Sequence, residues 1–273
     1  MQSYESIKAD EDEKRILYIM LTMIKGIGPK TQNILIDVFT TVEHCFSASA
    51  DELLKNTITR RIGSGRAGSF MKQRSSSKLR ERAEFILEEC RQKDIDVITR
   101  EDERYPDRFQ SISDMPAVLY GKGQLRINEY SASIGIVGAR RCTQDGKHTA
   151  ILTAEKAAEC HSAVISGMAK GIDSYAHTAA VKAHGYTIAV LGNGPNICYP
   201  KEHKKLYESI METGCILSEY PPGTRPREYY FPQRNRLIAA LSDQIYVVEA
   251  GRNSGTASTV ESGLKYGREV YRT

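Results

Sequence analysis

The stretch that most restricts what this chain can fold into covers residues 133–173, SIGIVGARRCTQDGKHTAILTAEKAAECHSAVISGMAKGID. SIGIVGA is an apolar run of strand length ending in small residues, and AVISG is a second. Between them, residues 144–160 alternate Ala, Leu and Ile with Lys and Glu at helical spacing. A strand–helix–strand unit of this length implies a parallel pair of strands with a right-handed crossover. Both strands run into a glycine followed by a cation: Gly138-Ala139-Arg140-Arg141 after the first, Gly167-Met168-Ala169-Lys170-Gly171 after the second. In a doubly wound sheet those turns are the carboxyl ends of strands, where ligands bind. Glycine turns and cations on one rim point to phosphate.

The rest of the C-terminal part continues the same rhythm. YTIAVLG, CILSEY, QIYVVEA and REVYR read as strands alternating with helices, which predicts an α/β fold with a mostly parallel sheet. Upstream, a helix over residues 79–93, the strand IDVIT, an irregular stretch and the short strand AVLY place one or two extra strands ahead of the regular sheet. With 273 residues the chain has room for a large domain and a small one, split near 1–78 and 79–273. The net charge is only +4, so a nucleic-acid reading rests on where the cations sit. The six cysteines form no Cys-x-x-Cys pair and suit buried thiols in a reducing compartment. No apolar leader and no run of membrane-spanning length is present, which suits the cytoplasm.

The N-terminal part reads as a small all-α domain. RILYIMLTMI at helical spacing is followed by Lys25-Gly26-Ile27-Gly28-Pro29-Lys30, and proline after the glycine turn suits the first turn of the next helix. Helix, Gly-Ile-Gly, helix resembles the helix-hairpin-helix motif of SAM-like domains. Its turn amides and first-turn residues, here Gly26, Gly28 and Lys30, hold a nucleic-acid phosphate. A weaker echo stands at Ile62-Gly63-Ser64-Gly65-Arg66. A helical interaction domain that uses the hairpin only as a tight turn fits the same residues. Residues 60–82 hold eight cations and one acid, and with serines at 75–77 they read as the end of this domain and a linker.

A dinucleotide site fits poorly. The first turn is Gly135-Ile136-Val137-Gly138-Ala139-Arg140 rather than G-x-G-x-x-G, and the second strand ends in Ser166-Gly167, with no acid for a ribose hydroxyl. No cofactor and no metal is expected. Asp173 is placed to cap the helix SYAHTAAVKAH, whereas Lys170 has no such structural duty, and His177 reads as a packed, hydrogen-bonded residue. Tyr229-Tyr230-Phe231-Pro232-Gln233-Arg234-Asn235-Arg236 leads into an apolar helix. Cations in a first turn oppose the helix dipole, which an anion at that spot would relieve; a later helix start removes the conflict. The aromatics beside these arginines suit stacking of unpaired bases, or core packing. The stretch from Glu249 to Thr256 adds another glycine turn on the same rim. The edge therefore carries Arg140, Arg141, Lys170, Arg234 and Arg236, with no nucleophile–base pair beside them.

Together, GARRCT, SGMAKGIDSYAH, TIAVLGNG, ICYP, LSEYPPGT, FPQRNRLIAAL, VVEA and SGTASTV, in this order, resemble the DNA-processing protein A (DprA, or Smf) family. REDERYPDRF and MPAVLYGKG match its lead-in segment. The resemblance implies an extended Rossmann-like domain behind a helix-hairpin-helix module. It also implies sequence-independent binding of single-stranded DNA, protection of incoming DNA in natural transformation, loading of the RecA recombinase, a homodimer through the later helices including residues 255–266, and no enzymatic activity. The family's DNA-contacting motifs fall on Gly138 and Arg140, on Gly167 and Lys170, and on Arg234, Asn235 and Arg236; Arg141 and Gly171 lie in the same turns. Two departures stand out. GARR replaces a common Gly-Ser-Arg, and members usually continue past Thr273 into a tail and often a winged-helix domain, either missing from this version or cut away. A second reading comes from related Rossmann-like phosphoribohydrolases with Gly-Gly-x-Gly-Thr-x-x-Glu. Gly255-Thr256 is present, but Thr259 stands where the glutamate belongs, and Glu261 lies about 200° further round a helix. A third reading, a recombination scaffold, leaves the basic rim unused.

Overall fold

The structure, a computed structural model, describes residues 4–251 and 255–273. It divides into two compact units. The first holds the residues up to 93 with 99–102 and 113–118, and the second holds 94–98, 103–112 and 119–273.

The first unit is helical: α1 (Tyr4–Met23), α2 (Pro29–Phe39), α3 (Val42–Ser47), α4 (Ala50–Leu54), α5 (Asn56–Ile62), α6 (Ser64–Gln73) and α7 (Ser77–Gln92). Both glycine turns are helix-to-helix hairpins. Gly26 precedes α2 at φ +83°, and Gly63 joins α5 to α6 at φ +85°, a left-handed backbone that favours glycine. Pro29 opens α2 with Gly28 as its N-cap. The 60–82 stretch is not a linker. Ala67 and Phe70 on α6, and Ala83, Ile86, Leu87 and Cys90 on α7, form buried stripes at helical spacing that keep this cation-rich segment folded. Arg74 there donates to the Ala48 carbonyl at 2.5 Å. Helix α7 packs on α1, with Arg80 bidentate on Glu13 at 2.8 and 2.5 Å. It thus sits in the first unit, whereas the sequence reading begins the second domain at residue 79.

The second unit is built on an eight-stranded sheet of order β1-β2-β6-β5-β4-β3-β7-β8. Its strands are β1 (Asp96–Thr99), β2 (Val118–Gly123), β3 (Ser133–Gly138), β4 (Ala163–Ser166), β5 (Thr187–Leu191), β6 (Cys215–Ser218), β7 (Gln244–Val248) and β8 (Glu269–Arg272). From β6 to β8 every neighbouring pair is parallel, and β2 joins β6 antiparallel. The extra strands ahead of SIGIVGA thus extend the same sheet. Its helices are the short α8 (Asp107–Gln110), then α9 (Gln144–Glu159), α10 (Ile172–Lys182), α11 (Lys204–Thr213), α12 (Tyr230–Leu241) and α13 (Ala257–Lys265).

Strand order reverses beside β3, whose neighbours are β4 and β7. Right-handed crossovers running away from β3 in both directions put helices on both faces. Ile136 accordingly packs among Ala150, Ala154, Ala176 and Ala180 of α9 and α10. Its neighbour Gly135 backs onto Ser242, just after α12. The alanines let α9 and α10 lie close together over the sheet. Among the described residues no helix is long and apolar enough to cross a membrane. All six cysteines are unpaired; Cys45, Cys90 and Cys215 are buried and Cys160 is exposed.

Candidate nucleic-acid interface

Because β3, β4 and β7 are parallel neighbours, the turns that follow them share one edge at the point where strand order reverses, the usual ligand position in such sheets. The turns interlock. Gly138 ends β3 opposite Val248, and the Ile172 amide donates to the Ala139 carbonyl at 3.2 Å. Gly171, at φ +79°, caps α10; a Cβ there would lie 2.3 Å from the Ala139 oxygen, so only glycine lets the two turns meet. Arg140 and Arg141 at the tip of the first turn and Lys170 on the second are exposed. Lys170 pairs with Glu202, an exposed contact of the kind that stabilises little and exchanges readily.

Beneath this layer the chemistry changes. Arg234 is only 4% exposed. Its guanidinium donates to the Gly167 carbonyl at 2.7 Å and to that of Val190, and its Nε donates to Asn235 Oδ1 at 3.1 Å. A Cβ on Gly167 would fall 2.6 Å from Arg234, so the arginine needs a glycine above it. Asn235 donates to the Gly255 carbonyl at 2.8 Å and to Ser258 Oγ at 2.9 Å, and Arg236 pairs with Glu219. These three residues therefore spend their polar atoms on the protein. The reason is the start of α12: it begins at Tyr230, with Pro232 tolerated in the first turn, so Arg234 lies beyond that turn on a face buried with Leu237, Ile238 and Leu241. The helix starts early rather than late, and the expected conflict with the dipole at its first turn does not arise.

Asp173 also departs from expectation. The N-cap of α10 is Gly171, and the buried Asp173 carboxylate turns back to accept the amides of Gly167 at 3.1 Å and Ala169 at 3.3 Å. Burial pushes its pKa up, against the pull of the Arg234 charge and these amides. Burial likewise lowers the Arg234 guanidinium to about 10, opposed by Asp173, while the nearby charge of Arg140 lowers it further. His177 is fully buried and hydrogen-bonded to Thr187 Oγ1 at 2.7 Å. Burial, then the Arg234 charge, pushes its pKa down to about 3. It is a neutral packed residue.

The N-terminus of α9, where a nucleotide phosphate would sit in a dinucleotide fold, is taken by Glu249. This carboxylate accepts the Thr143 amide at 2.8 Å and its hydroxyl, and its pKa is lowered chiefly by that hydroxyl. An acid from the chain itself thus competes with any phosphate at that helix end. In the expected turn at 249–256, residues 252–254 lie outside the described residues; Thr256 and Thr259 are buried and Glu261 is exposed.

The sequence profile of the family described as DNA recombination-mediator protein A matches residues 96–273, the sheet strands and the whole of this edge included. The chain belongs to that family. It is 37% identical over 186 residues to the DNA processing protein DprA of Bacillus subtilis, covering 68% of this chain and 63% of that one. To the Smf protein of Synechocystis it is 32% identical over 267 residues, covering 95% and 64%. The chain thus spans a little under two thirds of the length of these relatives. Among solved structures, DNA processing protein A from Streptococcus pneumoniae superposes with a TM-score of 0.76 at 29% identity, over 96% of this chain and 85% of that one. The Helicobacter pylori protein, whose structure addresses its single-stranded DNA binding mode, gives 0.60 at 29%, over 65% and 80%.

In the first unit, Gly26, Gly28 and Lys30 are exposed at one hairpin. The turn is tied to α6, where Ser69 Oγ donates to the Lys25 carbonyl at 2.7 Å and Gln73 Oε1 accepts the Lys25 amide at 3.2 Å. Two features of the second unit escaped the sequence reading. Glu249 holds Thr143, the N-cap of α9, from 106 residues away, and Tyr199 stacks on Phe231. Neither has a local sequence signal, because both partners come from different turns of the sheet edge.

Proposed function

We propose that this chain binds single-stranded DNA along the carboxyl edge of its parallel sheet, through phosphates and without base-sequence preference. The observation that carries the reading is the placement of exposed Arg140, Arg141 and Lys170 on interlocked turns where the strand order reverses. Gly138, Gly167 and Gly171 let the backbone of those turns come close. Arg234 and Asn235 serve from below by holding the Gly167 turn and the approach to α13, and Arg236 by pairing with Glu219. The single-stranded DNA binding named for the H. pylori relative supports the same ligand. The family resemblance extends the reading to protection of incoming DNA and loading of RecA during transformation in the cytoplasm, by a homodimer that is not an enzyme. Leu264 on α13, 65% exposed, suits the copy-to-copy contact; sedimentation of a monomer at micromolar concentration, with and without DNA, would count against it. The hairpin at Gly26, Gly28 and Lys30 acts as an accessory. The phosphoribohydrolase alternative lacks its acid, since Thr259 is buried at that position and Glu261 is exposed.

Titration of a labelled oligonucleotide, single- against double-stranded, across salt tests the reading. Affinity should fall with a log–log slope of roughly −0.7 per phosphate neutralised on a single strand. Arg140→Ala with Lys170→Ala should weaken all sequences alike and flatten that slope. An unchanged affinity in the folded double variant sinks the proposed edge.

A further inference from the structure

Next to the Gly167 turn the same edge carries a run of aromatic side chains that the phosphate-binding reading does not use. Tyr199 stacks on Phe231 with ring centroids 5.7 Å apart and planes 24° from parallel. Tyr220 and Tyr230 lie 4.1 Å apart, and Tyr229 meets Tyr230 at 4.4 Å. Arg227 lies over the Tyr229 ring at 6.0 Å and donates to its hydroxyl at 2.9 Å. These rings do not fill the core: Tyr229 is 52% and Tyr199 45% exposed. Burying such rings favours a fold by the apolar area removed from water, so faces left open on a ligand-binding edge call for a partner.

The chemistry of that partner follows from what adjoins the rings. Phe231 lies against Gly192, where a Cβ would come within 2.9 Å of its ring. The Arg234 guanidinium stands 5.9 Å from the Phe231 centroid while bonding the Gly167 carbonyl. The segment after Tyr199 is bound to the same turn, with His203 Nδ1 3.1 Å from the Met168 carbonyl and Glu202 paired to Lys170. The segment that carries Tyr199 is therefore tied to the turn that carries the exposed Lys170. A ligand with a charged backbone on one side and flat apolar groups on the other matches both surfaces at once. We propose that Tyr199 and Tyr229, backed by Phe231 and Tyr230, form a stacking platform for unpaired nucleobases of the strand whose phosphates lie on Arg140 and Lys170.

This inference rests on the single-stranded DNA reading and adds a base-contacting site to it. A platform of this kind tolerates any sequence, since every base has a π-face, and it rejects a duplex, whose bases are already stacked. Arg227 beside Tyr229 contributes a guanidinium that can lie against a base or meet a phosphate.

The test compares a labelled oligo-dT with a strand of the same length made of abasic sugar-phosphate units, titrated into the full chain at fixed salt. The wild type should bind oligo-dT more tightly than the abasic strand. Tyr199→Ala and Tyr229→Ala should each weaken oligo-dT by roughly five- to 150-fold, the range for loss of one stacked base. They should leave the abasic strand and the salt slope unchanged, and Tyr229→Phe should keep oligo-dT affinity because it keeps the ring. Both tyrosines are surface residues, so the variants should fold, which near-UV circular dichroism checks. If the wild type binds both strands equally, or if the alanine variants weaken both alike, the platform is overturned while phosphate binding stands. If the variants leave both titrations unchanged and instead shift the sedimentation of the free protein, the rings pair two copies of the chain and the proposal is equally overturned. If the wild type binds neither strand, the single-stranded DNA reading fails and the platform falls with it.

Discussion

The cations on the β3 and β4 turns and the arginines of α12 lie along one edge of one sheet, yet they meet opposite surroundings. Arg140, Arg141 and Lys170 stand in water, while Arg234 is buried against Asp173, the Gly167 carbonyl and the Val190 carbonyl. An exposed cation keeps its hydration and can give it up to a phosphate at small cost. A buried guanidinium has already given up its water, at several kcal/mol before compensation, and has replaced it with protein oxygens. The same residue type therefore does two jobs, and depth decides which. The outer set is exposed, Lys170 pairing only with Glu202 at the surface, and Arg234 of the inner set holds the Gly167 turn that leads to Lys170.

The sharpest way to break this comparison is to remove the inner charge. Arg234→Met leaves Asp173 buried without its cation and strips two carbonyls of a donor, so stability should fall by about 3–5 kcal/mol in urea unfolding. A loss below about 1 kcal/mol would place Arg234 with the surface set. The next effect is in pH. His177, kept neutral by burial and by the Arg234 charge, has a folded pKa of about 3 against an ordinary 6.5. The unfolded chain takes up a proton in that window that the folded chain refuses. Stability from this residue is thus complete above pH 6.5 and declines as pH falls toward 3, by up to about 1.4 kcal/mol per pH unit. Urea unfolding from pH 7 to 4 should show a shallower decline in His177→Gln than in the wild type; identical slopes would mean that the histidine titrates normally in the fold.

The outer set should behave in the reverse way. Arg140→Ala with Lys170→Ala should cost single-strand affinity on the order of tenfold at low salt, yet shift stability by no more than about 0.5 kcal/mol. A large loss of stability would show that these cations also hold the fold. Smallest of all should be Lys30→Ala in the helical unit. One cation and a few amides at the Gly26–Gly28 hairpin serve about one phosphate, so single-strand affinity should change less than about threefold while any duplex binding drops more. An effect equal to that of the edge variants would reverse the assignment of main and accessory sites.

Much of the molecule was legible from spacing alone. Each strand expected from an apolar run is present, as are both helix-to-helix glycine turns, and the turns at Gly138 and Gly167 do meet at one edge. Periodicity and glycine placement are local properties, so a sequence carries them openly. Misreadings arose where a polar residue had more than one possible partner. Asp173 has the right position for a helix cap but binds the preceding turn instead, because α10 starts at Ile172. The 60–82 stretch reads as the end of the small domain and a linker because cations and serines dominate it, although Ala67 and Phe70 bury one face of α6.

What the sequence determined by itself is the alternation of strand and helix, and with it a parallel sheet whose glycine turns and cations share an edge. Only the tertiary structure decided which of those cations face water, that Glu249 occupies the end of α9, that α7 belongs to the helical unit, and that Tyr199 joins Phe231 in an open aromatic run. The physical reason is the same in each case. Strand and helix patterns follow from neighbours a few residues apart, whereas burial, ion pairing and ring stacking depend on groups brought together from distant parts of the chain.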